Sequence, residues 1–343
     1  MSEPQRILFI RRDNIGDLVC TTPLFAALRA RYPKAHIALL ANTYCAPIVA
    51  CNPDLDRVYV YAKAKHLPPR QRPGAYWARV RLVRELHAAH FDYVVLAAAS
   101  YYARGLEFAR WLRGAQVIGF ASDSGRHDGI DIALTRDQKP RHEVEDLFQL
   151  LEPLGITGAP PAARITVEPT YAAAVQSRVR AAFGPIAPLA VHISARHPTN
   201  RWHADGYEGL IRALTSQGHK ILLLWSPGEA NDPAHPGDDA PALRIMQAVG
   251  GESLLALPTP DLGTLIAALD ACRGGIMSDG GAMHVGAALQ KPLVCLFGNS
   301  DVARWHPWQC RHIVLQPSDR NVSSLTVEQV LEAAETLFAP PTA

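Results

Sequence analysis

The sequence predicts an α/β protein of two Rossmann-like halves, each an open parallel sheet flanked by helices, with the two sheets facing one central cleft. Three observations lead there. Apolar runs of strand length alternate with helical stretches along the whole chain. At 343 residues the chain is longer than one hydrophobic core usually supports. A Gly- and Pro-rich break, Gly155 to Pro161, lies near its middle. The expected domains are residues 1–165 and 166–343.

In the first half, Arg6 to Ile10 and His36 to Leu40 are strand-length apolar runs, with a helix from about Pro23 to Arg31 between them. Thr22 before Pro23 reads as an N-cap followed by proline at the first helical position. Arg11 to Thr21 is then an unusually long connection, and loops at the carboxyl edge of such sheets bind ligands. Further strands are expected at Arg57 to Tyr61, Tyr93 to Ala97 and Gln116 to Phe120. Helices are expected near Ala75 to His87, Tyr101 to Arg113 and Glu143 to Leu154.

The second half repeats the alternation. Strands are expected at Leu189 to Ile193, Lys220 to Trp225, Gly275 to Met277 and Leu293 to Phe297, and helices near Asp205 to Gln217, Asp261 to Ala271 and Gly281 to Leu289. Asn231 to Asp239, rich in Pro and Asp, reads as a surface insertion, and the last helix, Val327 to Phe338, as a segment that crosses back to the first domain.

Composition excludes several classes. Apolar residues make up 48%, as in a packed enzyme, and the net charge of +2 is too small to imply a nucleic-acid partner. No apolar run approaches the roughly 18 residues of a membrane span, and the start of the chain has no signal-peptide core, so a cytoplasmic protein is expected. The six cysteines form no Cys-x-x-Cys pair, which argues against a zinc cage.

Two loops carry candidate chemistry. Asp17, beside Gly16 after the first strand, is either a ligand-facing carboxylate or a helix-capping one. The run Ser278-Asp279-Gly280-Gly281-Ala282-Met283-His284 leaves a strand and opens a helix, so its backbone N–H groups and the helix dipole form an anion site without a metal; the plain alternative is a tight turn. Ser194, Arg196 and Arg201 are candidates for further phosphate contacts. Separately, seven Lys or Arg and no acidic residue lie between Lys63 and Arg84. That run is either a solvated face or a dock for an anionic acceptor at a membrane surface, through Lys63, Lys65, Arg79, Arg81 and Arg84, with Tyr76, Trp77 and Val80 adding apolar contact.

The segments RILFIRRDNIGDLVCTTPLFAALRARYP (from Arg6) and GGIMSDGGAMHVGAALQKPLVCLFGNSDVARWHPW (from Gly274) resemble glycosyltransferase family 9, the ADP-heptose:lipopolysaccharide heptosyltransferases. RHEVEDLFQLLEPLGI and VHISARHPTNRWHADGYEGL are weaker matches in the same order. The resemblance implies a GT-B fold and inverting, metal-independent transfer of a heptose from an ADP-sugar to a lipopolysaccharide-core acceptor, with no cofactor, at the inner face of the membrane. It places the general base on Asp17 and sugar recognition on Asp279. It also places the nucleotide-sugar contacts on Ser194, Gly280, Gly281, Ala282, Met283 and His284, and nucleoside recognition on Glu229. Many relatives have a lysine before the tryptophan equivalent to Trp202; here Asn200-Arg201 stands there, so Arg196 or Arg201 must supply the charge.

Rival readings are a nicotinamide-dependent oxidoreductase, a nucleotide-sugar epimerase of the same layout, and a non-catalytic sugar-nucleotide binder. The first is disfavoured because RRDNIGD has one glycine where a dinucleotide fingerprint needs three.

Overall fold

The computed structural model describes residues 4–62, 72–112, 114–137, 139–230 and 237–339, without the side chains of 72, 73, 75 and 76. The chain divides into two compact units, Met1–Arg164 and Ile165–Ala343.

The first unit is built on strands β1 (Arg6–Ile10), β2 (His36–Asn42), β3 (Arg57–Tyr61), β4 (Tyr93–Leu96), β5 (Gln116–Phe120) and β6 (Ile132–Leu134). They form one sheet in the order β3-β2-β1-β4-β5-β6, every pair parallel. Helices α1 (Ile15–Val19), α2 (Thr22–Arg31), α3 (Arg72–Ala88), α4 (Ala103–Ala109) and α5 (Glu143–Phe148) accompany it. β1 sits in the middle because both its faces are apolar, as a strand covered by helices on both sides requires. Leu8 and Ile10 join the cluster that includes Leu82 and Leu86 of α3 and Leu106 of α4. Phe9 instead meets Phe25 of α2 edge-on, ring centroids 5.0 Å apart.

The second unit has β7 (Leu189–His192), β8 (Ile221–Trp225), β9 (Leu254–Pro258), β10 (Gly274–Ser278), β11 (Leu293–Leu296) and β12 (His312–Leu315). Its helices are α6 (Pro169–Phe183), α7 (Ala204–Ser216), α8 (Asp239–Val249), α9 (Leu262–Asp270), α10 (Gly281–Ala288), α11 (Val302–Trp305) and α12 (Val327–Phe338). The sheet order is β12-β11-β10-β7-β8-β9, again all parallel. Counted from the first strand of each unit, the two orders are the same doubly wound pattern, 3-2-1-4-5-6. The winding reverses between β1 and β4 in one unit and between β7 and β10 in the other, and ligands of such sheets bind where it reverses.

Several elements differ from expectation. The long connection Arg11 to Thr21 contains helix α1, closed by a capping box between Asn14 and Asp17 and anchored by buried Leu18 and Val19. A helix not expected from the sequence, α6, follows the Gly155 to Pro161 break and opens on Pro169, where a missing N–H costs nothing. The expected helix Glu143 to Leu154 is α5 followed by a 3-10 turn, Gln149–Leu154. Asp238 and Asp239, read as surface insertion, are the N-cap and first residue of α8, and Asp238 is buried. The short strands β6, β9 and β12, not expected from the sequence, lie at sheet edges with largely half-buried residues. Helix α12 packs on α7, β11 and β12 of its own unit through Val330, Ala334, Leu337 and Phe338. Among the described residues no helix is long and apolar enough to cross a membrane.

Candidate active site

In the second unit, the loops after β7 and β10 converge at the point of reversal. Asn200, 1% exposed, donates through Nδ2 to the backbone oxygen and the Oδ2 of Asp279, both at 3.1 Å. Its Oδ1 accepts from the Gly298 N–H at 3.1 Å, and Ser300 Oγ donates to the same Asp279 oxygen. One side chain thereby ties together the loops after β7, β10 and β11. Gly298 must be glycine: a Cβ there would stand 2.2 Å from the Thr199 carbonyl oxygen.

Beyond Asp279 the chain turns at Gly280, whose φ of 156° is open to glycine alone at little cost, and enters α10 at Gly281. Gly280 has no side chain with which to cap this end of α10, and such helix ends are where anions bind. Met283 is fully buried and His284 nearly so; Met283 therefore offers only its backbone, and the His284 ring lies edge-on to Trp305 at 5.9 Å.

A second loop is built by β8. Ser194 Oγ accepts from the Ser226 N–H at 2.9 Å, and Asp239 accepts from the Gly228 N–H at 2.9 Å and Trp225 Nε1 at 2.7 Å. This shapes Ser226 to Gly228 and presents exposed Glu229. Arg201 donates to Asp238 at 2.7 Å and is held, whereas Arg196 is exposed. Beneath them His192 is buried; loss of solvation outweighs the pull of Asp238 and lowers its pKa to about 4, so it is neutral at pH 7.

In the first unit, Asp17 takes part in capping α1. It is the third residue of α1 rather than the cap itself, and its Oδ2 accepts from the backbone N–H and Nδ2 of Asn14, at 2.9 and 3.1 Å. Its Oδ1 accepts from Arg11 Nη2 at 2.7 Å. Arg11, 3% exposed, also faces Glu143 at 3.2 Å and Asp13 at 3.7 Å, and donates to the Ala97 carbonyl after β4. Burial alone would lower the Arg11 pKa, but Asp17, Glu143 and Asp13 together raise it above its ordinary value.

Of the basic stretch, Lys63 and Lys65 lie outside the described residues. Arg79, Arg81 and Arg84 are exposed on α3, with Trp77 (74% exposed) and Val80. The run without acidic residues hides that Arg79 lies 4.0 Å from Glu107 of α4 and over the Phe108 ring. Among the described residues no group of three or more His, Cys, Asp or Glu is placed to hold a metal ion.

Asn200, Asp238, Asp239, Arg11 and Glu143 were not singled out from the sequence as site residues. Asn200 and Arg11 were visible only as neighbours of the motifs.

Two doubly wound parallel sheets, each with a winding reversal of the kind at which ligands bind, define the class: an α/β protein of Rossmann type. The comparisons are specific. Residues 79–333 match glycosyltransferase family 9 (heptosyltransferase). Lipopolysaccharide heptosyltransferase 3 of Escherichia coli is 27% identical over 85% of this chain and 82% of its own length. A family 9 glycosyl transferase from Veillonella parvula superposes with a TM-score of 0.83 at 22% identity, covering 98% of each chain. E. coli heptosyltransferase WaaC, solved with ADP, gives 0.76 at 18% identity over 97% of this chain and 99% of its own. The chain belongs to glycosyltransferase family 9 and is a glycosyltransferase. The GT-B fold class expected from the sequence is the one it shares with these structures. The family match begins at residue 79 and so does not include Asp17.

Proposed function

We propose that the protein is an inverting, metal-independent transferase that moves a heptose, or a closely related sugar, from an ADP-sugar to a lipopolysaccharide-core or similar glycan acceptor. The observation that carries the reading is the uncapped N-terminus of α10 beside Asp279, in a chain whose relatives are heptosyltransferases.

The donor diphosphate binds the N–H groups of Gly281, Ala282 and Met283, with Arg201 or Arg196 supplying positive charge. Asp279, its orientation set by Asn200 and Ser300, accepts from sugar hydroxyls, and the loop ending at Glu229 takes the nucleoside. Asp17 removes the proton from the acceptor hydroxyl as its oxygen attacks the anomeric carbon on the face opposite the diphosphate. The new C–O bond forms as the bond to the diphosphate breaks, ADP leaves, and the configuration inverts. The helix N-terminus stabilises charge developing on the departing phosphate, the task other transferases give a metal. The basic and aromatic face of α3 receives the anionic glycolipid, placing the enzyme peripherally at the inner face of the membrane.

A thermal-shift series with ADP, UDP, GDP and dTDP, each with and without EDTA, tests the reading. A ligand at 100 times its Kd stabilises by about 2.7 kcal/mol, so selective stabilisation by ADP that survives EDTA is expected. Preference for another nucleotide, or a shift abolished by EDTA and restored by Mg²⁺, would overturn it.

A further inference from the structure

The Arg11 cluster contains a residue that the transfer reaction as proposed does not use. Glu143 opens α5, is 3% exposed, and reaches across 132 residues of sequence to Arg11. Asp17 and Glu143 meet Arg11 at one shared atom: Nη2 donates to Asp17 Oδ1 at 2.7 Å and to Glu143 Oε1 at 3.2 Å. Nη1 is committed to the Ala97 carbonyl, and Nε faces Asp13. The guanidinium is therefore held on three sides, and one positive charge is divided among three carboxylates.

We infer that Glu143 is a positioning residue for the transfer reaction, sharing Arg11 with Asp17 so that Asp17 stays oriented without being neutralised. The inference rests on the reading of Asp17 as general base. An arginine buried against a single carboxylate forms a close charge-assisted pair, which leaves that carboxylate a poor proton acceptor. A second buried carboxylate on the same nitrogen keeps the geometry and restores negative charge around Asp17.

Other polar and charged groups nearby have partners of their own. Arg12 turns away, donating through Nε to Tyr61 Oη at 2.6 Å and pairing with Glu107 at 3.6 Å. Tyr102 Oη accepts from the Arg12 backbone at 2.9 Å, and its pKa is raised by burial and by Asp13, so it adds no charge at pH 7. On α5, His142 Nδ1 accepts from the Val144 N–H, Glu145 accepts from the His142 N–H, and Asp146 pairs with Arg136 at 2.9 Å. Among the described residues, Asp17 and Glu143 are thus the two carboxylates within hydrogen-bond reach of Arg11, with Asp13 at the longer distance.

The test is a two-by-two set: wild type, Glu143→Gln, Asp17→Asn and the double variant. kcat is followed against pH with ADP-heptose and a truncated lipopolysaccharide core, and melting temperature and ADP affinity are recorded alongside. Glutamine keeps an oxygen for Arg11 but removes the charge, leaving Arg11 to act fully on Asp17. Glu143→Gln should lower kcat about threefold to tenfold, move the acid limb of the profile to lower pH, and leave ADP affinity unchanged. The loss should vanish in the Asp17→Asn background, since the two residues act as a unit. Glu143→Asp, which keeps the charge, should hold the limb near its wild-type position and serves if the Gln variant does not fold. An unmoved limb in a folded Gln variant, an equal shift in Glu143→Asp, or a loss that persists without Asp17 would overturn the inference. Full turnover by Asp17→Asn alone would instead refute the base assignment, a distinguishable result.

Discussion

Replacing Asp17 separates its structural from its catalytic part. Asp17→Ala removes the acceptor of two Asn14 bonds, at 2.9 and 3.1 Å, and of the Arg11 bond at 2.7 Å. The cap contributes about 1 kcal/mol and a hydrogen bond to a charged group about 1.5–3 kcal/mol. Arg11 keeps Glu143, so no buried cation is left alone. The expected loss is roughly 2–4 kcal/mol. Asp17→Asn retains one oxygen, enough for Asn14 or for Arg11 but not for both, and should cost about half as much, lowering the melting temperature by several degrees. Its effect on turnover should be far larger: losing a general base costs about 10²- to 10⁴-fold in kcat, or about 2.7–5.4 kcal/mol of barrier. The assay is kcat of Asp17→Asn with ADP-heptose, beside ADP affinity by calorimetry and a melting curve. A folded variant that binds ADP and turns over near the wild-type rate would refute the reasoning and move the base to Asp13, which already faces Arg11.

Three further outcomes are expected. Asn200→Ala strips buried partners from Gly298 and Asp279, so stability should fall by roughly 2–4 kcal/mol and donor affinity with it; unchanged donor binding in a folded variant would remove Asn200 from the site. His192, neutral in the fold with its pKa lowered to about 4, is protonated more readily when unfolded, so the stability it confers is complete above about pH 6.5 and is lost as pH falls toward 4. The loss is at most about 3 kcal/mol, and pH-dependent unfolding of His192→Asn should lack that slope. Reversing Arg79, Arg81 and Arg84 to Glu should raise the acceptor KM and leave ADP affinity intact, because these residues are exposed on α3 of the first unit; a matched fall in ADP affinity would place the donor there instead.

The parts of the fold legible in the sequence are those with a local cause. β1, β2, β8 and β11 are runs of buried apolar residues, and a strand covered on both faces can be little else. The opening of α10 was legible because a Gly-Gly turn between strand and helix is a matter of neighbouring residues. Edge strands β6, β9 and β12 were not, because each is a short apolar run left half-buried at a sheet edge, with little to set it apart from a loop. Helix α1 was hidden by its five-residue length and its Asn14–Asp17 cap, which reads equally as loop.

By itself the sequence determined that two Rossmann-like α/β halves exist, that Asp17 follows the first strand, and that Asp279 lies between a strand and a helix. Only the tertiary structure decided what stands beside them: Asn200 against Asp279, and Arg11 shared with Glu143. The reason is topological. A parallel sheet with helical crossovers brings the carboxyl ends of β7 and β10, or of β1 and β4, together where the winding reverses, and that adjacency joins residues about 80 or more apart. No periodicity in the chain records it, since it arises from the order in which whole strands pair.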